Sequence, residues 1–329
     1  MPDLSTSYLG LQLKNPLVVA SCGLTSGMQG VQNCAYAGAG AIVLKSLFEE
    51  QINSDITALQ AAAVDFPDNE TLDDLMGNGQ ASDPQAYLTL VREAKKVVDI
   101  PIIASINCIT AERWADYARQ LEIAGAAALE VNVGFLANSA EQSSAAVERR
   151  YEEILQSVKS QVKIPVAMKI GPYFSSFASL AQRLGQGPHA ADALVLFNRF
   201  YRLDIDVDKL QVTAGNPFSN AAEIHTSLRW IMLLANRVDC QLAATTGIHD
   251  GFDVAKQLLA GATATQICST IYTNGFAQIN VILEQLNSWM ETHGFNTIND
   301  FRGRLSQKKS NDPESYERLQ YIKGLTGLA

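Results

Sequence analysis

Ala124-Gly-Ala-Ala-Ala-Leu-Glu-Val-Asn132 combines a turn of small residues, a short apolar run and a polar last residue. A turn of this kind followed by a short apolar run is typical of a buried β-strand. Similar segments occur at three other places in the chain, which are Ala37-Gly-Ala-Gly-Ala-Ile-Val-Leu-Lys45, Ala190-Ala-Asp-Ala-Leu-Val-Leu-Phe-Asn198 and Ala260-Gly-Ala-Thr-Ala-Thr-Gln-Ile-Cys268. The repetition predicts an architecture assembled from similar strand units.

A second apolar run lies upstream of each of these segments. The four runs are Asn15–Ser21, Ile100–Ile106, Ile164–Ile170 and Cys240–Thr246. Three of them begin with X-Pro, which ends a preceding helix and permits a strand to start. Stretches with apolar residues at helical spacing separate the runs, at 83–98, 111–124, 145–162, 222–238 and 252–260. Near-continuous apolar strands covered by helices indicate a parallel sheet.

Eight strand-and-helix units in a chain of 329 residues predict a closed (β/α)8 TIM barrel of the α/β class. A doubly wound open sheet is the alternative that this pattern leaves open. Since barrels often run past about 250 residues as one unit, we expect residues 1–329 to form a single domain. The first fifteen residues are expected to form a small N-terminal hairpin at the barrel bottom. The polar stretch 49–83 is expected to be an extended loop over the C-terminal mouth.

Composition excludes several classes of protein. Hydrophobic residues make up 47% of the chain, which is enough for a large buried core. The net charge is −9, so a surface that binds nucleic acid or anionic membranes is not expected. The five cysteines contain no CxxC pair, and the histidines have no metal-binding spacing, so we expect no metal site. The N-terminus lacks a signal-peptide pattern, and no apolar run approaches the roughly 18 residues of a membrane span. The sequence therefore predicts a cytoplasmic enzyme that does not bind membranes.

Polar residues close the predicted strands, at Ser21, Lys45, Asn107, Asn132, Lys169, Asn198, Thr246 and Ser269. In a barrel the C-terminal strand ends meet on one face, so these side chains are expected to share a pocket. Buried ammonium groups are costly unless a negative or acceptor-rich group meets them, so the two lysines imply an anionic or electron-rich ligand. The simpler interpretation is that the lysines reach solvent and that the asparagines cap loops. Small residues at 245–251 and 266–270 suit a phosphate site, although this signal is weak by itself.

Several of these segments, taken in order, resemble the dihydroorotate dehydrogenase family, in particular its soluble class 1 members. The motifs span nearly the whole chain and are Asn15-Pro-Leu, Ala20-Ser21, Lys45-Ser46, Glu130-Val-Asn132, Pro165-Val-Ala-Met-Lys169, Pro172-Tyr173, Asn198, Thr246-Gly-Ile248, Gln257–Thr263 and Gln266-Ile267, with a closing helix expected at Asp300-Phe-Arg-Gly303.

The resemblance implies a single FMN-binding domain with FMN across the barrel mouth, a small orotate-like or other carboxylate substrate, and a homodimer. It carries cofactor contacts onto Ala20, Ser21, Lys45, Ser46, Asn107, Asn132, Lys169, Thr246, Gly247, Cys268, Ser269 and Thr270. Among these, Lys169 is expected beside the flavin pyrimidine edge. The resemblance also implies that Lys45, Asn132 and Asn198 hold the substrate against the flavin as catalytic residues.

One departure from the family concerns the catalytic base. The family presents a cysteine or serine in the loop after strand 4, whereas this chain reads Asn132-Val-Gly-Phe-Leu-Ala137. Phe135 occupies the base position and cannot accept a proton, and loss of a general base typically costs about 10²–10⁴ in rate. Ser139 is a possible substitute, and Cys108 is a further candidate. Three hypotheses follow: dihydroorotate oxidation, an FMN-dependent reaction on another substrate, or a non-catalytic flavin-binding barrel.

Overall fold

The computed structural model describes residues 1–48, 84–108, 114–134, 136–200, 202–317 and 322. The expected mouth loop at 49–83 therefore lies outside the described residues. The strands in chain order are β1 (Thr6–Tyr8), β2 (Leu11–Leu13), β3 (Leu17–Val19), β4 (Ala41–Val43), β5 (Leu47–Phe48), β6 (Ile102–Cys108), β7 (Ala128–Val133), β8 (Val166–Ile170), β9 (Ala193–Leu196), β10 (Leu203–Asp206), β11 (Gln211–Ala214), β12 (Gln241–Thr245) and β13 (Ala264–Ile267).

The parallel strands close into a barrel. Their order is β4-β3-β13-β12-β9-β8-β7-β6-β5, and β4 also pairs with β6. The pairing of β13 with β3 joins the last strand to the first, and the pairing of β4 with β6 completes the ring. The predicted TIM barrel is confirmed, and the open-sheet alternative is excluded because an open sheet would leave two unpaired edges.

Helices lie between the barrel strands and cover their outer faces. They are α1 (Met28–Tyr36), α2 (Pro84–Val97), α3 (Trp114–Ala124), α4 (Ser144–Lys159), α5 (Phe177–Leu184), α6 (Ile224–Leu234), α7 (Gly251–Ala260), α8 (Ser269–Asn274) and α9 (Gln278–Thr292). The five predicted helices correspond to α2, α3, α4, α6 and α7. The expected closing helix at 300–303 is wrong: a 3₁₀ turn at Ile298–Asp300 precedes Gly303, whose φ of +67° interrupts helical geometry.

The N-terminal hairpin closes the barrel from below, as predicted. Tyr8, Leu9 and Leu13 are buried in one cluster with inward-facing side chains of the barrel strands. Most of those inward-facing side chains are alanines, from β4, β7, β8, β9, β12 and β13. Small side chains inside the barrel leave the volume that the tyrosine and the leucines of the hairpin fill, which gives a packed interior rather than a pore.

The second barrel strand is interrupted between β4 and β5. Val43 pairs with Ile103 and Leu47 pairs with Ile106, so Ser105 has no backbone partner on that side. The Tyr87 hydroxyl of α2 takes this place, because it accepts a hydrogen bond from the Ser105 N–H (2.9 Å) and donates one to the Ser105 carbonyl (3.1 Å). The interruption moves residues 44–46 out of regular strand geometry at the C-terminal end of the barrel.

A second hairpin was not predicted. The strands β10 and β11 form an antiparallel pair between β9 and α6. Its aliphatic side chains are largely exposed, with Leu203 at 68% and Leu210 at 88% of their full accessibility. Alternating polar and apolar residues at 203–206 carry a strand signal, but the segment is short.

Candidate functional site

A cavity of about 440 Å³ opens at the C-terminal ends of the barrel strands. This volume lies in the range of small-molecule and cofactor sites. Among the predicted site residues, those that line the cavity are Ala20, Ser21, Asn107, Asn132, Lys169, Asn198, Thr246, Gly247, Cys268 and Ser269. Both Lys45 and Lys169 lie at the C-terminal ends of their strands, as the sequence predicts.

Other predicted residues lie behind the cavity wall or away from it. Ser46 connects Ser21 to the barrel wall, since its hydroxyl lies 3.0 Å from that of Ser21 and 2.7 Å from that of Ser105. Lys45 is buried in the interruption between β4 and β5. Thr270 is buried and donates to the carbonyl of His249 (3.2 Å), so it fixes the loop after β12.

The loop after β7 is described only in part. Phe135, at the position of the family's base, lies outside the described residues, and so does the side chain of Cys108. Residues 136–140 are exposed, and the Ser139 hydroxyl accepts a hydrogen bond from the backbone N–H of Glu141 (3.3 Å). Ser139 therefore points to solvent and not into the mouth cavity in this conformation.

Amide side chains form one wall of the cavity. Asn198 donates through Nδ2 to Oδ1 of Asn132 at 2.6 Å, and Asn107 neighbours Asn132 in the β6–β7 register. A Cβ atom at Gly134 would lie 3.4 Å from Nδ2 of Asn198 and 3.5 Å from Nδ2 of Asn107. The glycine thus leaves space above the amides. Each amide retains donors or acceptors for a planar polar ligand.

A buried ion pair lies in the barrel below the amides. Nζ of Lys169 lies 3.5 Å from Oε1 of Glu130, and Gln266 bridges the two groups, at 3.3 Å from Nζ and 2.5 Å from Oε2 of Glu130. Within the described part of the chain, Oε1 of Glu130 has no hydrogen-bond donor, and the buried hydroxyl of Tyr8 has no acceptor. Burial, followed by the charge of Glu130, raises the pKa of Tyr8 well above its ordinary value. One ammonium group is therefore fixed beneath the mouth by a carboxylate that is 1% exposed.

The opposite wall consists of hydroxyls and a tight turn. Ser219 donates its backbone N–H to Oγ of Ser269 (2.9 Å), and its hydroxyl lies 3.3 Å from the N–H of Gly247. Thr246 and Gly247 both have positive φ, at +75° and +76°. A Cβ at Gly247 would lie 2.2 Å from the backbone nitrogen of Ile224, so only glycine fits here. Both N–H groups donate to serine hydroxyl oxygens here, and a cluster of N–H groups and hydroxyls of this kind suits an anion such as phosphate, which can replace a serine oxygen as the acceptor.

Arg199 holds the segment that carries Ser219. Its guanidinium donates to the backbone carbonyls of residues 216, 217 and 218 at 2.8–3.2 Å and to Glu223 at 3.0 Å. Burial alone would raise the pKa of Glu223, but hydrogen bonds from Arg199 and from the N–H of Asn220 bring it below its ordinary value. The charged clamp thereby keeps the hydroxyl of Ser219 at the cavity.

The sequence interpretation missed Glu130, Gln266 and Ser219 as site residues. Side chains alternate along a strand, so Glu130 shares the inward face with Asn132 two residues later. The same alternation places Gln266 on the face of Ala264. Both were therefore detectable from strand period, whereas Ser219 lies in an irregular segment without such a signal.

Comparison with known proteins agrees with this geometry. The model of the family described as dihydroorotate dehydrogenase matches residues 3–290. The catalytic subunit of dihydroorotate dehydrogenase B (NAD(+)) from Thermoplasma acidophilum is 27% identical, over 92% of this chain and 99% of that protein. Dihydroorotate dehydrogenase A (fumarate) from Lacticaseibacillus paracasei is 31% identical, over 80% of this chain and 90% of that protein. The catalytic subunit from Pyrococcus abyssi is 27% identical over 91% of this chain and 98% of its own length.

Proposed function

Because the chain belongs to the dihydroorotate dehydrogenase family, we propose that it binds FMN at the barrel mouth and oxidises dihydroorotate or a related small cyclic carboxylate. The family's reaction makes the chain an oxidoreductase that acts on a CH–CH bond, in the chemistry of pyrimidine biosynthesis. The observation that carries the proposal is the arrangement of a buried ammonium, an amide wall and an anion cradle around one cavity.

The residues present fit FMN. The N–H of Gly247 and the hydroxyls of Ser219 and Ser269 would hold the phosphate, since these donors gather at one side of the cavity. Lys169 would lie beside the pyrimidine edge, where a fixed cation favours negative charge on the ring. When bound, FMN supplies the redox chemistry by accepting a hydride from a substrate carbon. The chain itself contributes orientation, charge and exclusion of water.

The remaining predicted residues take supporting roles in this proposal. Asn132 and Asn198 would bind the substrate, because their mutual hydrogen bond fixes both amide planes at the cavity. Ala20, Ser21, Asn107, Thr246 and Cys268 would complete the flavin site by lining the same cavity. Ser46 and Thr270 would act by holding Ser21 and the loop after β12, and Lys45 would contribute its charge from the strand interruption.

Flavin binding is tested with the purified protein. We expect flavin absorbance in the protein as isolated or after addition of FMN, and a lower FMN affinity in Lys169→Ala. Lys159→Ala is the matched control, because that lysine pairs with Asp192 away from the mouth cavity. A colourless protein that does not bind FMN refutes the proposed cofactor, and an unchanged affinity in Lys169→Ala refutes the role given to that residue.

A different substrate is the second candidate, and the loop after β7 favours it. The sequence has Phe135 at the family's base position, and the nearby Ser139 is exposed. Anaerobic addition of dihydroorotate to the oxidised flavoprotein separates the candidates: rapid bleaching supports the family's reaction, whereas an unreactive flavin that dithionite still reduces supports another substrate. If no electron donor or acceptor can reduce and reoxidise the bound flavin, the result supports the hypothesis of a non-catalytic flavin-binding barrel.

The electron acceptor is a separate question. The similar proteins include both a fumarate enzyme and catalytic subunits of NAD(+) enzymes. Reoxidation of the reduced protein by fumarate alone would indicate the first type. Failure with fumarate, together with reoxidation by NAD(+) only in the presence of a second subunit, would indicate the other.

A homodimer in the cytoplasm completes the proposal. The exposed aliphatic side chains of the β10–β11 hairpin support self-association, because a protruding apolar edge is costly when left in water. Leu210→Lys should then lower the mass measured by light scattering from dimer to monomer.

Four described cysteines are unbridged, which suits a reducing compartment. None of the described helices has the length and apolar character that crossing a bilayer requires.

A further inference from the structure

A buried carboxylate lies directly beneath the floor of the mouth cavity. Lys169 and Gln266 line the cavity, whereas Glu130 does not line it and is 1% exposed. In the register of β7 and β8, Lys169 pairs with Asn132, and Glu130 pairs with Ala167, two residues nearer the N-terminal ends of the strands. The carboxylate therefore touches the ammonium group from below and does not reach a ligand in the cavity.

Gln266 fixes this ion pair from the opposite side of the barrel. Three strands separate β13 from β7 in either direction around the ring, so Gln266 reaches across the barrel axis to Oε2 of Glu130 at 2.5 Å. One orientation of its amide satisfies both neighbours: Nε2 donates to the carboxylate, and Oε1 accepts from Nζ of Lys169 at 3.3 Å. Side chains from three strands thus hold the ammonium group in one place.

The layer below the ion pair screens its charges poorly. Ala128 and Ala167 come two residues before Glu130 and Lys169, on the same inward faces of β7 and β8. Both alanines pack with Tyr8 in a fully buried cluster. Because water does not surround these groups, the field of the carboxylate extends further than it would at the protein surface.

Lys169 is the cation that a ligand meets at the cavity floor. Among the described residues that line the cavity, Arg199 is the other charged one. Its guanidinium is engaged by Glu223 at 3.0 Å and by three backbone carbonyls. The charge of Lys169 is offset by the carboxylate of Glu130, whose Oε1 lies 3.5 Å from Nζ. The net charge at the floor therefore depends on Glu130.

We propose that Glu130 is a positioning residue that acts through Lys169 and sets the reduction potential of the bound flavin. This inference rests on the proposed FMN site, in which Lys169 lies beside the pyrimidine edge. A cation at that edge stabilises the negative charge that the ring gains on reduction, and charge near the ring is a means by which proteins tune a flavin. Glu130 offsets part of the lysine charge and holds the ammonium group down. Its removal should make the flavin easier to reduce.

The affinity of the FMN-loaded protein for sulfite tests this role, because sulfite adds to oxidised flavin and leaves negative charge on the ring. We expect Glu130→Gln to bind sulfite about tenfold more tightly, since a buried unit charge acts over about 10 Å strongly enough for such a change. Anaerobic equilibration with a reference dye should show a higher reduction potential. Glu152→Gln is the matched control, because that carboxylate is 39% exposed and pairs with Arg183, and it should change neither value.

A double-variant cycle tests whether Glu130 acts through the lysine. Lys169→Met should bind sulfite more weakly than the unmodified protein. In that background Glu130→Gln should cause no further change, because the ammonium group that it controls is gone. An equal tightening with and without Lys169 overturns the proposal.

The direction of the change separates this role from a structural one. A loosened site would bind FMN and sulfite more weakly, whereas the proposal requires tighter sulfite binding in Glu130→Gln. Glu130→Asp keeps the charge but moves it away from Nζ, so its sulfite affinity should lie between those of the unmodified protein and Glu130→Gln. Unchanged or weaker sulfite binding in Glu130→Gln overturns the proposal. If that variant does not fold, an affinity of Glu130→Asp equal to that of the unmodified protein overturns it.

Failure of the proposed function gives a different result. A protein without flavin absorbance after addition of FMN refutes the proposed cofactor and this inference together. Bound FMN with the same sulfite affinity in the unmodified protein and the Glu130 variants overturns only the role of Glu130.

Discussion

Replacement of Glu130 by glutamine tests the buried ion pair at its centre. The substitution keeps the shape of the side chain and removes its charge, so the ammonium of Lys169 loses the carboxylate 3.5 Å away. Breaking a buried pair typically costs about 3–5 kcal/mol, because an uncompensated charge remains in a poorly solvated place. Here Gln266 keeps its contact with Nζ at 3.3 Å and Lys169 borders the mouth cavity, so part of the loss is offset. We expect a decrease of about 2–4 kcal/mol in the free energy of unfolding.

The assay is urea denaturation of the FMN-free protein, with Glu152→Gln as the matched control. Glu152 pairs with Arg183 at 2.6 Å, but both side chains are about two-fifths exposed, at 39% and 42%. Exposed pairs of this kind contribute about 0–1 kcal/mol. Removing both charges in the double variant Glu130→Gln/Lys169→Met should restore part of the stability lost in Glu130→Gln alone, because no lone charge remains. A loss below about 1 kcal/mol for Glu130→Gln, or additive losses in the double variant, would refute this reasoning.

Three further outcomes are expected. Gly247→Ala should abolish high-affinity FMN binding, because its Cβ would meet the backbone of Ile224. The control Gly275→Ala has a similar φ of +79° and open space around it, so it should cost only about 1 kcal/mol of stability and leave the FMN affinity unchanged. Equal effects of the two variants in an FMN titration would contradict the role of the turn. Tyr87→Phe should lower the free energy of unfolding by about 1–3 kcal/mol, because the N–H and carbonyl of Ser105 lose their hydrogen-bond partner. Tyr36→Phe, on the exposed face of α1, should change the free energy of unfolding little, and urea denaturation of the two variants tests this difference. Hydrogen bonding with Cys268 and with the backbone at Leu24 and Thr25 lowers the pKa of Cys22 below its ordinary value of 9.0, and only the thiolate reacts, so the rate of Cys22 alkylation should fall as the pH decreases through a midpoint below 9.0. A midpoint at or above 9.0, measured by labelling for a fixed time at a series of pH values, would contradict this prediction.

Much of the barrel could be predicted because its strands repeat a simple pattern. Small-residue turns and X-Pro starts mark the strand boundaries, and the eight strand ends carry polar residues that the closed barrel brings to one face. Five helices follow from apolar spacing alone. The β10–β11 hairpin was not predicted because its aliphatic residues face solvent, whereas the spacing of apolar residues predicts elements with a buried face.

The candidate site was predictable to the extent that it consists of strand ends. Ten of the predicted residues line the mouth cavity, whereas Lys45, Ser46 and Thr270 lie behind it. The strand interruption at 44–46 accounts for the position of Ser46. No local pattern predicts the interruption, because Ser105, which it leaves without a strand partner, is hydrogen-bonded by Tyr87, about forty residues after the interruption. Contacts across such a distance in the chain are set by tertiary packing and not by local preference.

The position of the N-terminal hairpin has a consequence for how the chain assembles. Thr6 donates to the carbonyl of Thr263, and Thr265 donates its N–H to the carbonyl of Pro16, so the N-terminal hairpin and the segment before β3 are joined to the last barrel strand by hydrogen bonds that span about 250 residues. Closing so large a loop is entropically expensive, and it cannot occur before β13 has been synthesised. A nascent chain still on the ribosome therefore carries an incomplete barrel floor.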